Sequence, residues 1–352
     1  MGNQETYASV DTETAEPARP ASKAKSACAD AGENCFESTI EGRETKIEEL
    51  MVSSPASHRI LTRRALFKGA VCGFAGLAVY GVEIDRHWLE TTHYDVHLPG
   101  LSAEFDGFRV VQLSDIHIDE FTEPFFVRDA VDRINRLAPD AVFLTGDFVT
   151  YQLVTQKFAL GSAWQCADIL SGLKCPQRYA IFGNHDVMVS ENVVGAALKD
   201  SGITVLRNWY LPLERGNGRV WLAGLDDPVE GHPDPEAAIP ARIRNRPDEP
   251  VIVLCHAPDY ANTLLMHPAG QAVSLMLSGH THGGQVRIPF MPAMHLPPLG
   301  CIYVEGWFKL GSMRLFVNRG LGTVGVPVRF NCAPELTVFT LRAAPPRGPG
   351  EV

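Results

Sequence analysis

Short apolar runs recur along the middle of the chain, and each stops at a residue with a reactive side chain. Residues 108–113, 141–144, 179–182, 251–254 and 274–277 are dense in Val, Ile, Leu and Phe. They are too short for amphipathic helices and predict buried strands. Between them the period changes. Over 124–137 apolar residues fall at helical spacing (Phe126, Val127, Ala130, Ile134, Leu137), with Pro124 at the start, where its missing N–H costs nothing. Residues 158–173, 191–198 and 237–244 are further predicted helices. Residues 205–213 and 220–225 predict strands around a Gly216-Asn217-Gly218 turn. A loosely alternating entry strand is predicted over 91–98, and later strands over 313–318 and 336–341. Alternating strands and helices followed by more strands predict an α/β sandwich of two sheets.

Upstream of this domain the pattern changes twice. Residues 1–59 are rich in Glu, Ser, Thr and Ala, poor in aromatics and without periodicity, and read as a disordered tail. Residues 60–88 contain Thr62-Arg63-Arg64-Ala65-Leu66-Phe67-Lys68 ahead of a Gly/Ala-rich apolar run over 69–82. Paired arginines before a mildly apolar segment read as a twin-arginine export signal. The implied partner is the twin-arginine export machinery, and the implied location is outside the cytoplasm or at the membrane surface. A start at Met51 would bring the arginines close to the N-terminus. The run is shorter than the roughly twenty residues of a spanning helix. No small-x-small cleavage site precedes Glu83, Asp85 and Arg86, which leaves a cleaved signal and a short retained anchor both open. The domain itself is read as 91–342, with a Pro/Gly-rich frayed end at 343–352.

Composition narrows the classes. An apolar fraction of 45% over 352 residues suits a globular core. A formal charge of −10 argues against nucleic-acid binding. The eight cysteines form no CxxC zinc pair, and at this density they read as thiols, Cys255 as a small buried hydrophobe and Cys166 with Cys175 as a pair able to bridge.

The chemistry sits where the strands end: Asp115-Ile116-His117, Gly146-Asp147, Gly183-Asn184-His185-Asp186, Cys255-His256-Ala257-Pro258, and Gly279-His280-Thr281-His282-Gly283-Gly284. Ligand groups of α/β sheets gather at the carboxyl ends of strands. Five such ends would bring carboxylates, one amide oxygen and several imidazoles to one rim, a set that suits two divalent metal ions. Asp115 and His117, two apart, would face one way in an extended segment. His280 and His282 share that spacing, with Gly283-Gly284 able to splay their rings toward different ions. Mixed nitrogen and oxygen donors suit Mn, Fe, Zn, Co or Ni. The other seven histidines lack such a context, though His295 lies in a Pro/Met-rich loop able to line a cleft.

The motif order D-x-H, GD, GNH(D/E), H, GHxH resembles the calcineurin-like metallophosphoesterase superfamily over residues 94–342. The text at 279–285, Arg319-Gly320-Leu321-Gly322 and Pro334-Glu335-Leu336-Thr337 is similar to the YkuE/YaeI-type branch of exported bacterial phosphodiesterases. The resemblance implies a four-layer α/β/β/α sandwich. It implies one ion on Asp115, His117, Asp147 and His282, and another on Asn184, His256 and His280, with Asp147 bridging. The implied reaction is hydrolysis of a phosphate ester or diester by a hydroxide activated between two metals. His185 would stabilise the transition state or protonate the leaving group, with Asp186 fixing its tautomer, and Arg319 would add a phosphate contact. Thr150 stands where purple acid phosphatases carry a tyrosine and where many relatives carry the second Asp of GDxxD, which argues against an iron–tyrosinate centre. Two alternatives accompany this reading. One is cleavage of a lipid-linked pyrophosphate such as UDP-2,3-diacylglucosamine. The apolar stretches 288–292 and 296–299 would then contact acyl chains, although ordinary loop packing explains them as well and a cytoplasmic UDP-sugar fits export poorly. The other, a catalytically dead scaffold, would need lost ligands, and every ligand position is filled.

Overall fold

A computed structural model of the chain describes residues 62–119, 121–151, 156–246, 248–293 and 295–343. The polar tail, Met51 and the C-terminal end beyond residue 343 lie outside these. The described chain opens with helix α1 (Arg63–Val79), whose first turn is capped by the Thr62 hydroxyl accepting from the Ala65 N–H at 3.2 Å. The helix continues through a π turn (Tyr80–Ile84) and a 3₁₀ turn (Asp85–His87). The whole run spans 25 residues, and an 18-residue window within it has a mean hydropathy of 1.6. By length and composition it is long enough to cross a membrane, longer than the apolar letters at 69–82 implied.

The run ends inside the domain. The Arg86 guanidinium donates to the carbonyls of Val82 at 2.7 Å and Phe121 at 2.6 Å and pairs with Glu123 at 2.8 Å. Gly81 is buried against Val328 and Arg329, and its carbonyl accepts from the Arg329 N–H at 3.1 Å. A side chain at Gly81 would press on that backbone, which accounts for the glycine there.

After this junction come β1 (Glu90–Leu98), β2 (Arg109–Leu113), α2 (Pro124–Leu137), β3 (Ala141–Leu144), α3 (Gln156–Ser171), β4 (Gln177–Ala180), α4 (Asn184–Asp200) and β5 (Thr204–Val205). The second half carries β6 (Trp209–Arg215), β7 (Gly218–Gly224), α5 (Pro235–Ala238), α6 (Ala241–Arg244), β8 (Val251–Leu254), α7 (Tyr260–Met266), β9 (Val273–Ser278), β10 (Gly306–Leu310), β11 (Met313–Val317) and β12 (Glu335–Ala343). One sheet has the order β1-β12-β2-β3-β4-β5, the other β10-β11-β9-β8-β7-β6. In the first, β2 to β5 run parallel and β12 is antiparallel to β2. In the second, β7, β8, β9 and β11 run parallel.

Three apolar cores hold this mixed α/β sandwich together. Val110, Phe143, Ile181 and Phe339 of the first sheet and its loops meet Leu222, Ile252, Leu254, Leu277 and Phe316 of the second. Val111, Val142 and Leu144 pack with Val127, Ile134, Leu170 and Val194 of α2, α3 and α4. Val253, Met276 and Leu315 pack with Ile243, Leu264 and the Ala238 turn. The parallel strands β3 and β8 are buried on both faces, which is why they read as unbroken apolar runs.

Several boundaries move from the sequence reading. The expected helix at 191–198 starts at Asn184, so the GNHD motif forms a first helical turn, and the helix kinks at Ser190. The strand read over 205–213 breaks between β5 and β6, where Asn208 has φ 48°. The helix read over 237–244 becomes two short turns separated at Pro240, whose ring cannot continue the first. Cys166 and Cys175 are both free thiols.

Candidate metal centre

The reactive residues leave five strand ends drawn from both sheets. Asp115 and His117 follow β2, Asp147 follows β3, Asn184 follows β4, His256 follows β8, and His280 and His282 follow β9. The loops are stitched to one another. Asp115 and His117 donate their N–H to the carbonyls of Gly146 and Asp147, both at 3.0 Å. Across the sheets, the Asp115 carboxylate accepts from the His280 N–H at 2.8 Å.

The local backbone differs from the extended form inferred for Asp115 and His117. Asp115, His117, Asp147, His280 and His282 all have left-handed φ, between 48° and 73°. Such a conformation costs a non-glycine residue about 1–2 kcal/mol, and it persists only where surrounding contacts fix it. The left-handed turns, not strand alternation, aim these side chains inward. Gly183 and Gly279 allow close approach, since a Cβ at either would collide with the Asp147 or the Asp115 carboxylate.

The side chains form two clusters whose ligand atoms lie within 4.8 Å of one another: Asp115, His117 and His282 in one, and Asp147, His256 and His280 in the other. The paired histidines of the GHTH segment therefore do divide between two positions. A third grouping of His117, Asp147 and His185 joins them. At the junction, Asp147 Oδ2 lies 3.3 Å from His117 Nε2 and 3.1 Å from His256 Nε2. His117 Nε2, His256 Nε2 and Asn184 Oδ1 are buried and have no hydrogen-bond partner. Buried polar atoms without partners are expensive, and three of them around one carboxylate fit cations as the missing partners.

The outer contacts of the rings fix which nitrogen is bare. His256 Nδ1 lies 2.7 Å from the Thr145 carbonyl and so carries its proton there, freeing Nε2. His280 Nε2 lies 2.8 Å from the Pro298 carbonyl, which frees Nδ1. His117 Nδ1 lies 3.3 Å from the Thr150 hydroxyl, which donates to Asp119 at 2.7 Å. The hydroxyl can then only accept from His117, and His117 Nε2 is bare.

Charges follow from this crowding. Burial opposes the Asp147 carboxylate, but His256, His185 and His117 together hold it well below the usual range. Burial pushes Asp115 up. Asp147 overcomes burial to raise His117 and His256. Burial carries His280 down to about 3.

Two assignments from the motif change. The Asp186 carboxylate accepts main-chain N–H groups of Asp147 at 2.8 Å, Phe148 at 2.9 Å and Gly183 at 2.9 Å. It clamps the GD turn to the start of α4 rather than orienting His185. Burial, then Asp147, push it up to about 7. His185 Nδ1 instead accepts the Tyr151 N–H at 2.9 Å, so its proton sits on Nε2, and burial lowers its pKa to about 4. Arg319, expected to contact phosphate, is paired with Glu90 at 2.6 Å and Glu335 at 3.3 Å and lies outside the cavity over the metal residues. The Tyr151 side chain packs against the core shared with α2, α3 and α4.

A cavity of about 660 Å³ opens over Asp147, Asn184, His185, His280 and His282, with His295 on its wall. Arg329 was not singled out from sequence. It is fully buried, donates to the carbonyls of Arg319, Gly320, Gly322 and Cys332, and comes within 3.4 Å of His282 Nδ1. Its only signal was a lone cation in the apolar stretch 324–330.

The comparisons agree with this geometry. Residues 108–284 match the model for calcineurin-like phosphoesterases. The chain belongs to the calcineurin-like phosphoesterase family. It is 36% identical to the metallophosphoesterase YkuE of Bacillus subtilis over 79% of this chain and 94% of that protein. It is 32% identical to the phosphodiesterase YaeI of Escherichia coli over 80% of this chain and all of that protein. It is 24% identical to a UDP-2,3-diacylglucosamine pyrophosphatase of Chlamydia muridarum over 74% of this chain and 92% of that protein. With the two side-chain clusters, this makes the protein a dinuclear metallophosphoesterase, its centre suited to metal-activated hydrolysis of phosphate esters and diesters.

The Thr150 hydroxyl carries a testable consequence. Thr150→Val keeps the shape but leaves His117 Nδ1 and Asp119 unpaired, and should weaken metal affinity about 10–100-fold. Thr150→Ser should restore it. Metal titrations of the three proteins check this, and equal affinities would show that the hydroxyl does not orient His117.

Proposed function

We propose that the protein hydrolyses a phosphodiester or phosphomonoester in the cavity above Asp147, outside the cytoplasm, while held at the membrane by its N-terminal helix. The observation that carries the reaction is the set of unpartnered buried atoms, His117 Nε2, His256 Nε2 and Asn184 Oδ1, gathered around Asp147 beneath the open cavity. We assign Asp115, His117, Asp147 and His282 to one ion and Asn184, His256, His280 and Asp147 to the other. Bound there, two divalent ions supply an activated water and positive charge for the phosphoryl oxygens.

The chain's own groups do the rest. Asp147 Oδ1 accepts the His185 main-chain N–H at 2.9 Å, leaving Oδ2 for the junction of the clusters. The positive end of α4 begins at Asn184 and favours an anionic phosphate above it. His185 lines the cavity as a neutral ring with its proton on Nε2. Taking a second proton would break the Tyr151 contact. We therefore assign His185 to hydrogen bonding of a phosphoryl or leaving oxygen rather than to acid catalysis by an imidazolium.

A second reading is cleavage of the pyrophosphate of a nucleotide-linked lipid. It draws on the resemblance to the Chlamydia enzyme and on the exposure of Ile288, Phe290, Met291 and Leu299, which do not pack as an ordinary loop. Turnover of such a pyrophosphate in preference to any diester would favour it. We also read the three cores as the four-layer α/β/β/α order, and the domain as 91–342. The arginine pair at the first turn of an apolar helix supports twin-arginine export, and burial of Gly81, Asp85 and Arg86 in the domain supports a retained anchor.

Asp147→Asn should empty both metal positions or most of their affinity and lower turnover of an aryl phosphodiester by several orders of magnitude, since an amide bridges two cations poorly. A variant with two metals and near-normal turnover would remove Asp147 from the centre. His185→Ala should retain both metals and lower kcat roughly 10²–10³-fold, by a similar factor for nitrophenolate and alkyl leaving groups. A defect confined to poor leaving groups would make it the proton donor, and loss of metal would make it a ligand. Arg63→Lys with Arg64→Lys should strand folded protein in the cytoplasm, read by fractionation. Normal export, or an exported chain whose mass lacks residues 63–87, would overturn the signal or the anchor respectively.

A further inference from the structure

Two exposed apolar surfaces meet at one joint of the molecule. The first is the helical run Arg63–His87, on which Leu66, Phe67, Val71, Phe74, Leu77, Val79 and Ile84 are exposed. The second is the rim of the cavity. Phe290 is fully exposed, and Ile288, Met291, Leu299 and Val326 are exposed beside it in the chain or on the cavity wall. The wall below them is apolar too, built from Val286, Pro297, Pro298 and Val324.

The joint is a set of short contacts. The Arg287 N–H donates to the Phe330 carbonyl at 2.9 Å, and Phe330 N–H to the Gln285 carbonyl at 3.1 Å. The Phe330 ring meets Tyr80 edge-on with centroids 6.2 Å apart, and the Arg329 N–H reaches the Gly81 carbonyl. The stretch that carries the rim is thus bonded to a strip that is itself bonded to the end of the helix. The rim is also short of acidic residues. Residues 286–299 contain no Asp or Glu, and residues 320–328 contain no charge at all, in a chain with 41 acidic residues.

We propose that the 288–299 rim is a lipid-contacting surface, held against the bilayer by its joint to the helix, and that the substrate is an amphiphile whose phosphate ester enters the cavity while its alkyl part stays in the membrane. The proposal rests on the phosphoesterase reading above. A proline-rich loop bearing Phe, Ile and Met without carboxylates matches what an interface of apolar chains and anionic headgroups accepts. Continuity with a helix of membrane-spanning length singles out lipid over a second copy of the chain.

The test uses the full, metal-loaded chain in vesicles of phosphatidylethanolamine and phosphatidylglycerol. Bis(4-nitrophenyl) phosphate serves as the soluble ester and hexadecyl 4-nitrophenyl phosphate, dispersed in the vesicles, as the amphiphilic one. Phe290→Ser with Met291→Ser, both exposed and remote from the fold's cores, should leave soluble turnover unchanged and lower vesicle turnover about tenfold or more. In a separate Phe290→Trp protein, bromine atoms on the acyl chains should quench the added fluorescence. Equal loss on both esters, or no quenching, would overturn the proposal. A dimer in detergent that the double Ser variant dissolves would overturn it in favour of a second copy. If the metal-loaded wild type hydrolyses neither ester, the phosphoesterase reading fails, while the quenching result still decides whether the rim meets lipid.

Discussion

The molecule is organised around one buried carboxylate that no hydrogen bond fully satisfies. Asp147 Oδ2 faces the Nε2 atoms of two imidazoles, and each ring already commits its Nδ1 to another partner. Left alone, the carboxylate favours a second proton on each ring against the cost of burial. With cations it becomes a site of high charge density enclosed by carbonyls that cannot move. The strained turns at Asp115, His117, Asp147, His280 and His282 make sense only in that light. Each trades local backbone comfort for a side chain aimed at a shared point.

Rigidity at that point comes from partners that sit one bond further out. Asp186 ties the Asp147 turn to the first turn of α4, and Arg329 gathers four carbonyls behind His282. Both are buried charges with many hydrogen bonds, the condition under which a buried charge is tolerable. Neither touches the cavity. Their effect is to keep the turns from relaxing when the cations are absent, so that little reorganisation is needed when cations arrive.

Much of this was legible in the letters because parallel strands buried on both faces cannot hide. Residues 141–144 and 251–254 were bounded correctly, and Asp147 and His256 of the side-chain clusters follow shortly after them. Spacing failed where it relied on an assumed backbone. Asp115 and His117 converge with left-handed φ, not as alternate residues of a strand, and the letters carry no sign of that. Adjacency also misled. Asp186 follows His185 in sequence, but a helix turns the two apart, and the partner of His185 is a main-chain N–H that every residue but proline possesses. Arg319 lay in a recognisable motif, yet two carboxylates distant in sequence, Glu90 and Glu335, claim its charge. Short apolar runs such as 288–292 mean either core or surface, and only burial separates the two.

The placement of β12 bears on how such a protein is made. The last strand of the domain lies between β1 and β2, pairing with β1 from Glu90↔Glu335 to Leu98↔Ala343, and β1 has no other neighbour in its sheet. During synthesis the amino-terminal strand therefore waits unpaired until the carboxyl end has left the ribosome. Because β1 follows directly on the helical run, the part of that helix's attachment that runs through β12 and Arg329 matures late, after all five ligand loops have been translated. A prematurely terminated chain keeps its amino-terminal helix but cannot close the sheet behind it.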